Sequence, residues 1–180
     1  MLEINVYGDE LWNEETETFL KPELIATLRM EHSLVSISKW ESKWHKSFLS
    51  TKDKTDEELI DYMRCMTITQ HIDPDLYYNL PANVVDEIMD YINNPMTATT
   101  FRETNSRPDN SIITAEIIYY WMVTFNIPAE YQKWHINRLL TLIRVCSTKS
   151  QSPKKMSKAE LAQRTRSLNA QRRQSLNTPG

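Results

Sequence analysis

The stretch I-Y-Y-W-M-V-T-F-N-I-P-A-E-Y-Q-K-W-H-I-N-R-L-L-T-L-I-R-V-C, Ile118 to Cys146, decides the fold class. Ile118, Trp121, Met122 and Phe125 recur at i, i+3, i+4 and i+7, the spacing that lines one face of an α-helix. Ile136, Leu139, Leu140 and Ile143 repeat it. Pro128 falls between the two runs, where a helix can start without missing its N–H. Glu130 and Arg144 sit at the ends that the helix dipole favours for their charges. The stretch predicts two closely joined helices over 114–125 and 128–146 at the centre of the core.

Working outward, Val85, Ile88, Met89 and Ile92 show the same periodicity in a helix that starts near Pro81 to Asn83. It stops at Asn93-Asn94-Pro95, because proline disfavours helix at the residue before it. Residues 95–111 are polar and read as a long loop. Thr55-Asp56-Glu57-Glu58 is a capping box, followed by Leu59, Ile60, Met63 and Met66 as an apolar stripe. Ser33 caps a helix carrying Leu34, Ile37, Trp40 and Trp44. Only the N-terminus changes period. Leu2 to Tyr7 alternates apolar and polar, Gly8-Asp9 is turn chemistry, and Thr16–Leu20 and Leu24–Met30 read as two further strands separated by Pro22. The expected fold is mainly α: a helical core over 32–147, a small antiparallel β element over 1–31, and a basic helical tail over 148–180.

Composition supports this and excludes much else. Of 180 residues, 40 % are hydrophobic, enough for a core, and only two are glycine, Gly8 and Gly180. A dinucleotide fingerprint or a P-loop needs several glycines in one loop, so neither is present. Cys65 and Cys146 have no CxxC spacing and read as buried, reduced thiols. No run approaches the roughly 18 apolar residues of a membrane span; the longest apolar region, Ile112–Ile127, is broken by Thr114, Glu116, Thr124 and Asn126. Glu3 stands where an export signal would carry a base. A soluble, intracellular protein is expected.

The net charge of −3 hides a division. After Cys146 come eight Lys or Arg against the single acid Glu160, a balance of +7. The 13 basic and 23 acidic residues before them leave Met1–Cys146 at −10. In the tail, Ser147 to Lys155 reads as a polar linker and Ser157 to Glu160 as another capping box. Leu161, Leu168 and Leu176, with Ala162 and Ala170, then form a thin apolar stripe. Such a stripe buries too little to hold a helix by itself, so 148–180 is expected to be ordered mainly on partner binding.

Catalytic patterns are missing. There is no HExxH, no ExxH pair and no paired-cysteine zinc spacing; His32, His45, His71 and His135 are scattered. Asp56, Glu57, Glu58 and Asp61, and Asp86, Glu87 and Asp90, fall near helix starts, where capping and the dipole account for them. No strained-turn motif surrounds a serine or cysteine. No enzyme, metal or cofactor is expected. The pair 114–125 and 128–146 also allows a helix-turn-helix reading through Lys133, Arg138 and Arg144, which the acidic body opposes. The tail has no aromatics on which bases could stack, and both a charge-driven nucleic-acid arm and a protein-binding arm stay open.

Four stretches together resemble a known group: Glu31 to Lys46 (E-H-S-L-V-S-I-S-K-W-E-S-K-W-H-K), Cys65 to Gln70 (C-M-T-I-T-Q), Asn94 to Phe101 (N-P-M-T-A-T-T-F) and Ile118 to Cys146. They are similar to small proteins encoded among the tail genes of long-tailed bacteriophages, the tail assembly chaperones. The similarity runs from about Glu31 into the K-K-M-S and R-S-L-N-A-Q-R-R segments. It implies a helical, non-enzymatic assembly factor of the host cytoplasm that binds the tape measure protein, with the major tail protein and self-association as further partners. Nucleic acid and membrane are not expected partners. A permanent virion component, such as a tail or connector protein, and a nucleic-acid-associated protein are the alternatives. Client binding needs large or adaptable apolar side chains. Trp40 and Trp44 in the body, and Leu161, Arg164, Leu168, Arg172 and Arg173 in the tail, are the candidate partner-binding residues. Trp121, Trp134, Met63, Met66, Met89 and Met122 are shared between that role and the core.

Overall fold

The computed structural model describes residues 1–8, 12–14, 17–101, 111–150 and 158–176. It is mainly α with a small antiparallel β element. The chain divides into two compact units, Met1–Cys146 and Ser147–Gly180.

The β element opens the first unit. Strand β1 (Leu2–Tyr7) pairs antiparallel with β4 (Leu24–Met30), from Leu2 opposite Met30 to Val6 opposite Ala26. Tyr7 then lies opposite Leu24, so Ile25 is the extra residue of a β-bulge. Alternation decides the faces: Ile4, Val6, Leu28 and Met30 are buried. On the other face Arg29 pairs with Glu3 at 3.0 Å and Thr27 donates to Asn5 at 2.8 Å. Within the β1–β4 connection, β2 (Trp12–Asn13) pairs with β3 (Thr18–Phe19). The expected strand over Thr16–Leu20 is thus shorter, and its partner at Trp12–Asn13 has too few residues to show a period. The other edge of β4 is closed by the chain after the second helix. Glu31 N–H donates to Met66 O at 2.9 Å, and Ile68 N–H to Arg29 O at 2.7 Å.

Six α-helices follow among the described residues: α1 (Leu34–Trp44), α2 (Asp56–Met66), α3 (Ala82–Asn93), α4 (Ala115–Thr124), α5 (Ile136–Ser150) and α6 (Lys158–Leu176). Short 3-10 turns occupy Pro74–Tyr78 and Ala129–Lys133. Both capping expectations in the body hold. Ser33 and Ser36 exchange backbone-to-side-chain bonds ahead of α1, and Thr55 and Glu58 do so ahead of α2. Ser157, expected to cap α6, lies outside the described residues.

Two boundaries and one face differ from expectation. The helix expected over 128–146 is a 3-10 turn followed by α5 from Ile136. The reason is tertiary: Trp134 is extended, His135 bridges Ser33, and Ile136 N–H donates to His32 O at 2.7 Å. That backbone is spent on the residues leading into α1. At its other end α5 continues through Ser150, so the first residues of the expected linker are helical. On α3 the buried face is Val84, Ile88 and Tyr91, with Val85, Met89 and Ile92 half-buried beside it. Residues 95–101 carry no helix or strand, and the rest of the expected loop up to 110 lies outside the described residues.

Aromatic rings fill the centre of the body. Phe48 stacks on Tyr62 with centroids 3.8 Å apart, and Trp40 meets Phe48 edge-on at 5.2 Å. Leu34, Ile37, Ile118, Ile136 and Leu139 are fully buried around them. Burying each such side chain stabilises by about 1.5–3 kcal/mol. Glu41, at the end of α1, is a buried staple: its Oε1 accepts from Phe48 N–H at 2.8 Å and its Oε2 from Ala115 N–H at 2.7 Å. One carboxylate thereby ties the loop after α1 to the start of α4.

Candidate functional site

The two tryptophans chosen from sequence part company in the structure. Trp40 is fully buried, and its indole N–H donates to Glu58 O at 2.8 Å. It is a core residue, which corrects its place among the partner-binding candidates. The α1 stripe faces the centre of the body, and a buried indole needs the acceptor that α2 supplies. Trp44, one helical turn on, is half-buried, stacks with Trp40 at 6.2 Å, and donates to Asp61 Oδ2 at 2.9 Å. Lys43 takes the other Asp61 oxygen. Part of the Trp44 ring stays at the surface. Of the shared residues, Met63, Met66 and Met122 are buried, while Met89, Trp121 and Trp134 are half-buried. Trp134 stacks with Tyr131 at 4.0 Å and has the Arg138 guanidinium 4.1 Å from its ring centroid.

The tail candidates lie together on α6. Leu161 and Leu168 are 56 % and 44 % exposed, and Arg164, Arg172 and Arg173 are exposed on the same helix. At 100° per residue, Leu161, Leu168 and Leu176 fall within about 80° of one another, with Arg172 inside the stripe and Arg164 at its border. Thr165, Ser167 and Ser175 turn their hydroxyls back onto the carbonyls of Leu161, Arg164 and Arg172.

A second exposed apolar surface escaped the sequence reading. Trp12 and Phe19, opposite each other in β2 and β3, meet edge-to-face at 5.0 Å and are 51 % and 64 % exposed. Tyr7, Leu20, Leu24 and Ile25 are exposed in the same hairpin. Concentrations of exposed large apolar side chains mark interaction sites. The signal in the sequence was Trp12 beside acids, with Phe19-Leu20 seven residues later; segments this short carry no readable period.

The buried titratable groups are structural. The His32 ring packs 5.0 Å from that of His135, and its Nδ1 pairs with the Tyr62 hydroxyl. Burial, and then His135 beside it, push the His32 pKa down to about 3. His135 Nε2–H donates to Tyr91 O at 3.0 Å, while its Nδ1 accepts from Asn137 N–H at 3.3 Å. Burial lowers the His135 pKa too. Tyr91 donates to Glu31 at 2.6 Å, and burial pushes both Tyr62 and Tyr91 above the ordinary phenol range. Glu58 is held below the usual carboxylate range by its hydrogen bonds from Lys46 and the Thr55 backbone. Burial raises the Cys65 thiol, which works against a nucleophilic thiolate.

The hollows in the body are open to solvent. One of about 630 Å³ lies beside Glu41, His45, Lys46 and Glu116, but both Glu41 oxygens are already taken by backbone N–H groups. Among the described residues no group of three or more His, Cys, Asp or Glu could hold a metal ion. None of the described helices is long and apolar enough to cross a membrane. Compared with known proteins, the chain matches no protein-family model, no curated protein and no solved structure.

Proposed function

We propose that this chain is a non-enzymatic tail assembly chaperone of a long-tailed bacteriophage, holding the tape measure protein in the host cytoplasm while the tail is built. The observation that carries the reading is α6. It runs for 19 residues with every described side chain exposed, and presents three leucines on one face among arginines. A helix that buries nothing of its own is marginal, and a partner helix with apolar and acidic side chains would complete it. The resemblance of the Trp-rich stretches to the chaperone group supplies the identity of the client. Trp44 and the hairpin tip add apolar contact area, so many weak contacts along a long client would hold it by avidity.

The test is coexpression with the tape measure protein. The full chain raises the soluble yield of that client, because exposed apolar segments are what aggregates. The pair Leu161→Asp with Leu168→Asp removes the benefit while the body stays folded. A client equally soluble alone defeats the proposal. The +7 charge of the tail favours a second reading, a nucleic-acid arm. Binding through about six phosphates falls roughly 10³-fold between 50 and 200 mM salt. Apolar packing of the leucines largely survives that change. A steep salt loss together with a harmless double mutant would decide for nucleic acid.

A further inference from the structure

The hairpin tip and α6 have opposite charge as well as shared apolar character. From Gly8 to Glu23 the chain carries six acids, Asp9, Glu10, Glu14, Glu15, Glu17 and Glu23, against the single base Lys21. Of these, Glu14, Glu17 and Glu23 are exposed, Glu14 and Glu17 directly flanking the paired Asn13 and Thr18. On α6 the only acid is Glu160, and Arg164, Arg166, Arg172 and Arg173 are exposed. Leu161 to Leu176 spans about 22 Å of helix axis, room for an aromatic pair and its flanking aliphatics. We infer that the Trp12–Phe19 tip of one copy docks on the Leu161–Leu168–Leu176 stripe of α6 in a second copy.

Charge selects this pairing over the others open to two copies. Tip against tip sets acids against acids, and α6 against α6 sets arginines against arginines. Like charges facing each other across an interface suppress that partner. Only tip against α6 buries apolar surface while pairing opposite charges at its rim. The contact is heterologous: each copy offers one tip and one stripe, so it repeats into a ring or a chain. It rests on the geometry of the free protein and not on the client. It does cover the stripe that the proposed client would take, so client and neighbour compete for α6, and the leucines stay shielded until a client displaces the neighbouring tip.

The test uses the full chain without client, with mass measured by light scattering or sedimentation across a concentration series. The wild type shows mass rising beyond the monomer. Trp12→Ser with Phe19→Ser, and Leu161→Asp with Leu168→Asp, each reduce it to a monomer. Mixed in equal amounts, these two variants form a dimer and stop there. The leucine-variant copy keeps a working tip, the tip-variant copy keeps a working stripe, and together they make one contact. Should the aspartates melt α6, Arg172→Glu with Arg173→Glu gives the same loss, and Glu14→Lys with Glu17→Lys on the second copy restores assembly. A wild type that is monomeric at every concentration overturns the inference. So does assembly that either variant leaves intact, or a mixture that remains monomeric. Because no client is present, these outcomes are independent of whether the chaperone reading stands.

Discussion

Helices α1 and α6 were written with the same grammar and ended differently. Each has apolar residues spaced to share a face, yet α1 buries Leu34, Ile37 and Trp40 completely while α6 leaves Leu161, Leu168 and Leu176 exposed. Density makes the difference. In α1 the stripe is thick enough to meet α2 and α4, and its polar members are recruited as well: Ser36 caps and Glu41 staples. In α6 three leucines are spread over 16 positions of a basic helix. Apolar spacing shows which way a helix faces. How much it buries per turn shows whether the partner is the helix's own fold or another surface.

The largest expected effect breaks the symmetry at once. Trp40→Ala removes the central side chain, so it costs about 3–5 kcal/mol, as Trp-to-Ala core changes do. Leu168→Ala on α6 changes the stability of the body by less than about 0.5 kcal/mol. Urea denaturation followed by tryptophan fluorescence reads both, and a body indifferent to Trp40→Ala would undo the comparison.

A finer contrast lies within α5. Leu139 is fully buried and Leu140, its neighbour in the expected stripe, is half-buried. Leu139→Ala is therefore worth about 2–5 kcal/mol, and Leu140→Ala less than about 2 kcal/mol. The same distinction separates Met122 from Trp121 on α4. Equal losses at Leu139 and Leu140 would restore the wider stripe.

These contrasts mark where the sequence was legible. Long periodic segments, the Ser33 cap and the Thr55–Glu58 capping box could be read directly, because helix spacing and Ser/Thr caps are local chemistry. The start of α5 could not, since it is set by a bond between Ile136 and His32, 104 residues apart. Nor could the polar half of the core: Glu58 and Asp61 read only as capping and dipole acids and Glu41 carried no reading, until their partners, the N–H groups of Phe48 and Ala115 and the side chains of Lys46, Lys43 and Trp44, come together. At the candidate surfaces the thin α6 stripe was readable as an oddity. The hairpin tip was only half readable: the strand expected over Thr16–Leu20 contains β3, but its two-residue partner Trp12–Asn13, and with it the exposed Trp12–Phe19 pair, declares itself only once paired.

Acid separates the two regions by a different route. The folded body holds His32 neutral down to about pH 3, whereas an unfolded His takes its proton near 6.5. The unfolded state therefore binds more protons between those values, and stability, full above 6.5, is lost as pH falls through that window. The loss at pH 5 is about 2 kcal/mol for this one residue. The groups facing His32 are the Tyr62 hydroxyl and His135, whose own pKa burial also lowers, so His135 adds to the same slope. Glu58 titrates below the ordinary carboxylate range and stays out of the upper part of the window. Urea midpoints at pH 7 and pH 5 check this, with His32→Asn flattening the slope. A body equally stable at both values would sink the argument. No histidine lies beyond Cys146, so the helix signal of α6 carries no such dependence.

The smallest effect is confined to the tail. Ala162 and Ala170 are exposed on α6, where their contribution is helix propensity. Each Ala→Gly change costs about 1 kcal/mol of helix, and a helix this marginal responds to that in full. Ala162→Gly with Ala170→Gly therefore lowers the far-ultraviolet helix signal at 25 °C. The urea midpoint of the body, read by tryptophan fluorescence, stays within about 0.5 kcal/mol of wild type, as for surface changes elsewhere. All five tryptophans precede Cys146, so that probe is blind to α6 and the two readings are independent. A fall in the fluorescence midpoint would mean that α6 shares the cooperative unit of Met1–Cys146, and its leucines would then belong with the stability of the body and not with a partner.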